Sequence, residues 1–351
     1  MILGCKPLAQ HANPIGASSQ NMGIANVTAL LFLALVGGCA RTVRPVEHLP
    51  SATPKASDAP IAATTLMAHV AALTSLEMRG RAAGSEGERL AREYVTSKLR
   101  MIDASPFGQW AHPFPIRSGG ESANVVGIIR GREDRIIVLG AHLDHLGERN
   151  GELFLGAEDN ASGVAVVLEV ARVLAERRSE LKRSVVVAFF GGEEIGLLGS
   201  KAFVAHPPIP RERIDTMVNV DMIGRPLVDQ SALALPKAAL GIRDAWTVGL
   251  VGTKDRPELR ALVDAACAAE KVEAVAGEDL PETIASVVEH FTKNRGDNAS
   301  FEAAGIPAVF FSSGESDDYH QPTDTLEKLS GAIMTRRARA IVRVMLALSQ
   351  R

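Results

Sequence analysis

Two uninterrupted apolar runs constrain this chain more than any other feature: IIVLGA at 136–141 and SVVVAFF at 184–190. A strand with one wet face alternates apolar and polar residues. A continuous run bounded by turns reads instead as a strand buried on both faces, as in a parallel or mixed sheet. Helical spacing surrounds these runs. Met67 to Leu76 places Met67, Val70, Ala71 and Leu73 on one side, and Glu88 to Met101 does so with Leu90, Tyr94, Val95 and Leu99. Ser162 to Leu174, Ile195 to Val204, Pro257 to Glu270 and Leu329 to Leu348 read as further helices. Ala123 to Ile129, Met217 to Met222 and Pro307 to Phe311 read as further strands. Strands alternating with helices predict an α/β fold: an open mixed, mainly parallel sheet with helices on both faces.

Charge and cysteine content narrow the function. Lys+Arg 38 against Asp+Glu 41 gives a net charge of -3, which argues against nucleic acid as a partner, because phosphate contacts need a basic surface. Aromatics at 4% supply no base-stacking platform. Cys5, Cys39 and Cys267 make neither a disulfide framework nor a zinc knuckle. The longest apolar run, Ala29 to Gly38, is too short for a bilayer span of about 20 residues. It precedes Cys39, and Val36-Gly37-Gly38-Cys39 resembles the lipobox of bacterial lipoproteins, with Cys39 the lipidated residue. A plain secretory signal, leaving a soluble periplasmic or secreted chain, is the alternative. Ala40 is not Asp, so resemblance to Gram-negative sorting implies an outer-membrane lipoprotein facing periplasm or exterior. The expected organisation is a signal peptide over 1–38, a Pro-rich tether over 39–60 and a single catalytic domain over 61–351.

Acids and histidines recur at the predicted strand ends. His142 and Asp144 follow IIVLGA, Glu193 and Glu194 follow SVVVAFF, and Asp221 ends the NVD strand. Asp159 precedes the Ser162 helix, and His320 follows the strand ending at Phe311. In an open α/β sheet, ligands collect beyond the carboxyl ends of the strands. So many carboxylates together would repel one another and raise each other's pKa, and cations remove that conflict. Two imidazoles with several carboxylates suit zinc, with cobalt or manganese as alternatives. The number of acids suggests two ions about 3.5–4 Å apart, bridged by one carboxylate. Taken singly, AHLDH reads as a solvated strand end, GGEE as helix-starting acids and YHQPTDT as a Pro turn. Their joint occurrence in this order carries the argument.

The chain resembles the zinc-dependent exopeptidases with co-catalytic metals, the family of bacterial leucyl-type aminopeptidases and glutamate carboxypeptidase II. The resemblance rests on GAHLDHLG (140–147), GAEDNASGVAVVLEVARVL (156–174), VVVAFFGGEEIGLLGS (185–200), NVDMIGR (219–225), RGDNASFEAAGIPAVFF (295–311) and DYHQPTDT (318–325), with the Gly-rich RGRAAGSEG before them. It implies a zinc exopeptidase-like, phosphorylase/hydrolase-like fold. It further implies that Asp159 bridges two Zn2+ ions, Glu194 and His320 complete one site, and His142 and Asp221 complete the other. Glu193 would be the general base, and Asp144 would orient the His142 imidazole from behind. Asp297 is a further candidate for a place near the substrate. The implied activity is metal-assisted hydrolysis of peptides at the N-terminus. A carboxypeptidase, dipeptidase or deacylase, a glutaminyl cyclase-like enzyme and an inactive peptide-binding homologue stand as alternatives. The chain departs from the family in carrying Glu158-Asp159-Asn160 where Asp-Asp-Asn is frequent. It also lacks the Cys pair of some members, and it has only Tyr94 and Tyr319 from which a tyrosine oxyanion donor could be drawn.

Overall fold

A computed structural model describes residues 61–351 except 118, 228–241, 243, 284 and 287–294. The expected signal segment, Cys39 and the tether lie outside the described residues. In chain order come α1 (Ala63–Leu73), α2 (Glu86–Met101), β1 (Ser105–Pro115), β2 (Glu121–Ile129), β3 (Glu133–His142), β4 (Gly147–Arg149) and β5 (Glu152–Phe154). Then follow α3 (Gly163–Glu176), β6 (Arg183–Phe190), α4 (Leu198–Ala205), β7 (Ile214–Val220), β8 (Val248–Val251), α5 (Pro257–Ala269), β9 (Ala274–Ala276), α6 (Asn298–Ala303), β10 (Ala308–Ser312) and α7 (Gly331–Ser349).

Eight strands form one open sheet in the order β1-β2-β6-β3-β7-β10-β8-β9, while β4 and β5 make a separate hairpin. The central strands β6, β3, β7 and β10 run parallel. β2 pairs antiparallel to β6 and β8 antiparallel to β10. The two long apolar runs are β3 and β6, side by side in the middle, and both are buried along almost their whole length. Successive side chains on a strand point to opposite faces. Val185, Val187 and Phe189 therefore join one core with α1, α2, α3, α5 and α7, and Val186, Ala188 and Phe190 join a second with Phe203 of α4 and Phe301 of α6. Helices thus cover both faces, which is why neither run alternates. Among the described residues, no helix is long and apolar enough to cross a membrane.

Some sequence expectations shift. α1 buries Leu66, His69, Val70 and Leu73, and Ala71 is exposed, so the apolar stripe sits one residue earlier than the spacing suggested. Apolar residues at both 66 and 67 left the phase ambiguous. Ile195 lies exposed in a turn before α4 rather than inside a helix. β1, β8 and β9 have no counterpart in the sequence reading. β1 carries Pro106, Pro113 and Pro115 on an exposed sheet edge, where proline is tolerated because no ladder N–H is needed.

Candidate metal centre

The parallel strands β3, β6, β7 and β10 end on one rim, and the functional candidates leave from these ends. His142 is the last residue of β3, Asp221 directly follows β7, and Glu193 and Glu194 follow β6 after two glycines. His320 lies in the loop after β10. Asp159 comes from the turn that enters α3. Gly156 opens that turn at φ 61, and a Cβ there would lie 2.2 Å from the Asp159 carbonyl oxygen and 2.5 Å from the His145 ring. Gly163 closes it. A Cβ at 163 would meet the Asn160 side chain at 2.2 Å and the Val220 carbonyl at 2.5 Å. Both positions require glycine because the backbone must approach its neighbours closely.

The five side chains that the resemblance named as ligands converge. His142 Nε2 is 3.1 Å from Asp159 Oδ1 and 3.2 Å from Asp221 Oδ1. His320 Nε2 is 3.2 Å from Asp159 Oδ2 and 2.9 Å from Glu194 Oε2. Asp159 therefore turns one carboxylate oxygen to each group. Donors around a zinc ion bind at about 2.0–2.2 Å, so such separations suit atoms that share a cation. His142, Asp159 and Asp221 form one donor set; His145, Asp159 and Glu194 form another. This nitrogen-and-carboxylate chemistry fits zinc or a similar divalent cation.

His145 is the residue that sequence reasoning missed. It stands inside the AHLDH motif, is 1% exposed, and places Nδ1 2.7 Å from Glu194 Oε1. Asp144 also differs from expectation. His142 Nδ1 meets the backbone carbonyl of Asp144 at 3.1 Å, while the Asp144 carboxylate stays 3.9 Å away. That carboxylate instead accepts the backbone N–H groups of Glu193 at 3.0 Å and Glu194 at 3.3 Å. Asp144 thus orients His142 through its main chain and the Glu193-Glu194 turn through its side chain. Asp324, four residues after His320, does comparable work at Asp159: its carboxylate accepts the backbone N–H of Glu158 and of Asp159. Glu158 points away from the donor atoms and accepts the backbone N–H groups of Gly224 and Arg225. Arg81, from the Gly-rich RGRAAGSEG stretch, is fully buried and donates to the carbonyls of Leu73, Leu143, Leu155 and Gly156. It ties the loop after His142 to the loop before Asp159.

Electrostatics separate the two adjacent glutamates. Burial, with Asp297, Asp221 and Glu194 nearby, pushes the Glu193 carboxyl well above the usual range. Burial acts on Glu194 too, but hydrogen bonds from His145 and His320 bring it below the usual range. Burial opposes ionisation of Asp159 as well, yet the imidazoles of His142 and His320 hold it well below. Two neighbouring carboxyls are thus driven in opposite directions. Asp297 is 1% exposed, and burial pushes it to about 6 although His142 draws it down. It lies within the electrostatic reach of His142, Asp221 and Glu193 and contributes no atom to either donor set. Tyr319 stacks on the His320 ring at 3.8 Å between centroids.

These shifts fix a pH dependence for the metal-free protein. Asp297 near 6 and Asp324, pushed by burial to about 7, keep protons that an unfolded chain releases around 3.8. Between those values the folded state binds more protons, so stability falls as pH rises. His320 loses by burial but gains more from Asp159 and Glu194, and reaches about 9. Its contribution is fully present below 6.5 and is lost as pH rises through about 9. The lowered Asp159 and Glu194 contribute fully above the ordinary carboxylate range and are flat over this window. Metal-free protein is therefore expected to lose melting temperature from about pH 5 to about pH 9. Zinc, binding the folded state alone, should offset the loss. Calorimetric scans at constant salt check this, and a melting temperature that climbs across the window contradicts it.

Residues 124–345 match peptidase family M28. The chain belongs to that family. Among curated relatives, leupeptin-inactivating enzyme 1 of Streptomyces exfoliatus is 29% identical over 58% of this chain and 45% of its own length. Leucine aminopeptidase 1 of Trichophyton equinum is 30% identical over 40% of this chain and 39% of its own. The chain thus spans under half the length of these relatives. Among solved structures, BSAP, a zinc aminopeptidase from Bacillus subtilis, superposes with a TM-score of 0.62 at 16% identity, covering 83% of this chain and 95% of that one. The glutaminyl cyclase of Porphyromonas gingivalis does so at 0.61 and 19% identity, covering 82% and 99%. At such identities the likeness is one of fold. The open mixed sheet is the M28 fold, as the sequence predicted.

Proposed function

We propose that this M28 chain is a zinc-dependent exopeptidase of the aminopeptidase type, working with two cations that share Asp159. The observation that carries the reading is the Asp159 carboxylate, with Oδ1 turned to His142 and Asp221 and Oδ2 turned to His320. His142, Asp159 and Asp221 would hold one cation; Asp159, Glu194 and His320 would hold the other. Bound there, the cations would supply Lewis acidity, lowering the pKa of a water and polarising a carbonyl. Glu193 stands outside both donor sets, and its raised proton affinity suits a group that takes the water proton and returns it to the leaving amine. Asp144 holds the Glu193 and Glu194 backbone in place while this happens. Aminopeptidase names among both the relatives and the structural neighbours support a free N-terminus as the substrate end.

A panel of aminoacyl-p-nitroanilides, N-blocked peptides, C-terminal substrates and N-terminal glutaminyl peptides, each with and without chelator, tests the reading. Chelator-sensitive release from the free-amine substrates alone is expected. Turnover confined to N-blocked or C-terminal substrates would overturn it. Cyclisation of glutaminyl peptides without hydrolysis would move the chain toward the cyclase reading, which its sequence similarity to a Drosophila melanogaster glutaminyl-peptide cyclotransferase, 29% identical over 42% of this chain, keeps as the second reading. The same proposal places the enzyme on an outer membrane through a lipid on Cys39. Failure of labelled palmitate to enter the protein, or equal labelling of Cys39→Ser, would remove the anchor.

A further inference from the structure

We propose that His145 is a further ligand of the centre, so that four protein groups hold the cation on the Glu194 side and three hold the cation on the Asp221 side. The inference rests on the two-cation reading above and adds an asymmetry to it. The relation of His145 to its neighbours repeats that of the two named histidines. His142 Nε2 faces one oxygen each of Asp159 and Asp221, and His320 Nε2 faces one oxygen each of Asp159 and Glu194. His145 Nδ1 faces Glu194 Oε1 at 2.7 Å and Asp159 Oδ2 at 3.6 Å. A ring nitrogen set against two carboxylate oxygens needs positive charge between them. A cation would supply it.

Local structure holds the ring in this pose. The backbone N–H of His145 donates to the Arg81 carbonyl at 3.2 Å, and the Arg81 guanidinium grips Leu143 and Gly156 on either side. The ring lies against Gly156, where a Cβ would come within 2.5 Å of it. It meets the His320 ring edge-on, with centroids 5.9 Å apart. Glu194 is thereby flanked, with Oε1 toward His145 and Oε2 toward His320. The other nitrogen of His145, Nε2, is buried without a hydrogen-bond partner among the described residues. Both ring nitrogens thus lie inside the protein, and Nδ1 is the one set toward the carboxylates.

The chemical consequence follows from coordination number. Four protein ligands close a zinc site, whereas three leave a position open. The His145 side is then the closed, tighter-binding site, filled first. The His142–Asp159–Asp221 side, with three protein ligands, would keep one position open.

Titration of the metal-free full chain with Co(II), followed by visible absorption and calorimetry, tests this without reference to turnover. His145→Ala removes the ligand; His145→Asn keeps an N–H near the place of Nδ1 and so preserves hydrogen bonding to Glu194. Both variants are expected to bind the first cobalt equivalent more weakly than wild type by more than the roughly 10–100-fold that loss of an outer partner costs, with a changed d–d spectrum, and to bind the second as wild type does. A His145→Asn protein whose first equivalent keeps wild-type affinity and spectrum overturns the proposal and reduces His145 to a hydrogen-bond donor for Glu194. Should wild type itself bind no cobalt, the two-cation reading falls and this one falls with it. Wild type taking up two equivalents with both variants unaltered would reject the His145 assignment alone.

Discussion

Glu193→Gln is expected to lower kcat by about 10²–10⁴-fold, the span typical of a lost general base, while metal content stays unchanged. Gln is nearly isosteric with Glu and leaves the turn intact, since Asp144 holds residues 193 and 194 by their backbone N–H groups. The side chain lies outside both donor sets, so no cation loses a ligand. What disappears is the one carboxyl of the Glu193-Glu194 pair that burial and neighbouring acids push well above its usual range. Kinetics on a free-amine substrate, paired with elemental analysis of the same sample, check both halves. Near-normal turnover would remove Glu193 from the mechanism. Loss of metal would place it among the ligands.

Asp159→Ala should have a broader effect. One carboxylate faces both donor sets, so its removal takes an oxygen from each at once. It also leaves His142 and His320 without the acid that each shares with a second carboxylate. Metal content is expected to fall from two ions per chain toward none, and activity to fall to that of chelator-treated protein. The decrease in affinity should exceed the roughly 10–100-fold that loss of an outer partner costs. Elemental analysis after dialysis reads this directly. A variant that retains one tightly bound ion would show that Asp159 serves one site only.

The sequence announces the centre of the sheet and hides its margins. β3 and β6 each carry an unbroken apolar run because both faces are covered there, and that alone makes them conspicuous. Because the parallel strands end together, side chains written far apart in the chain, such as His142 and His320, meet in space. β1 escapes notice because an edge strand is half solvated and can carry prolines. The supporting residues are harder still. Nothing in AHLDH tells which atoms of Asp144 reach which partner, since its carboxylate meets backbone 49 residues later in the chain. His145 was within view but unassigned, because its ring turns inward through a contact with Arg81, more than sixty residues earlier. Spacing on a strand end cannot encode a fold made by a distant loop. Asp324 is invisible for the same reason: it acts on Glu158 and Asp159 across 166 and 165 residues.

Anomalous scattering at the zinc absorption edge, recorded from crystals of zinc-loaded protein, tests the central claim most directly. Two peaks are expected, one on each side of the Asp159 carboxylate, the first beside His142 and Asp221 and the second beside His320 and Glu194. A single peak, or two that do not share Asp159, would contradict it.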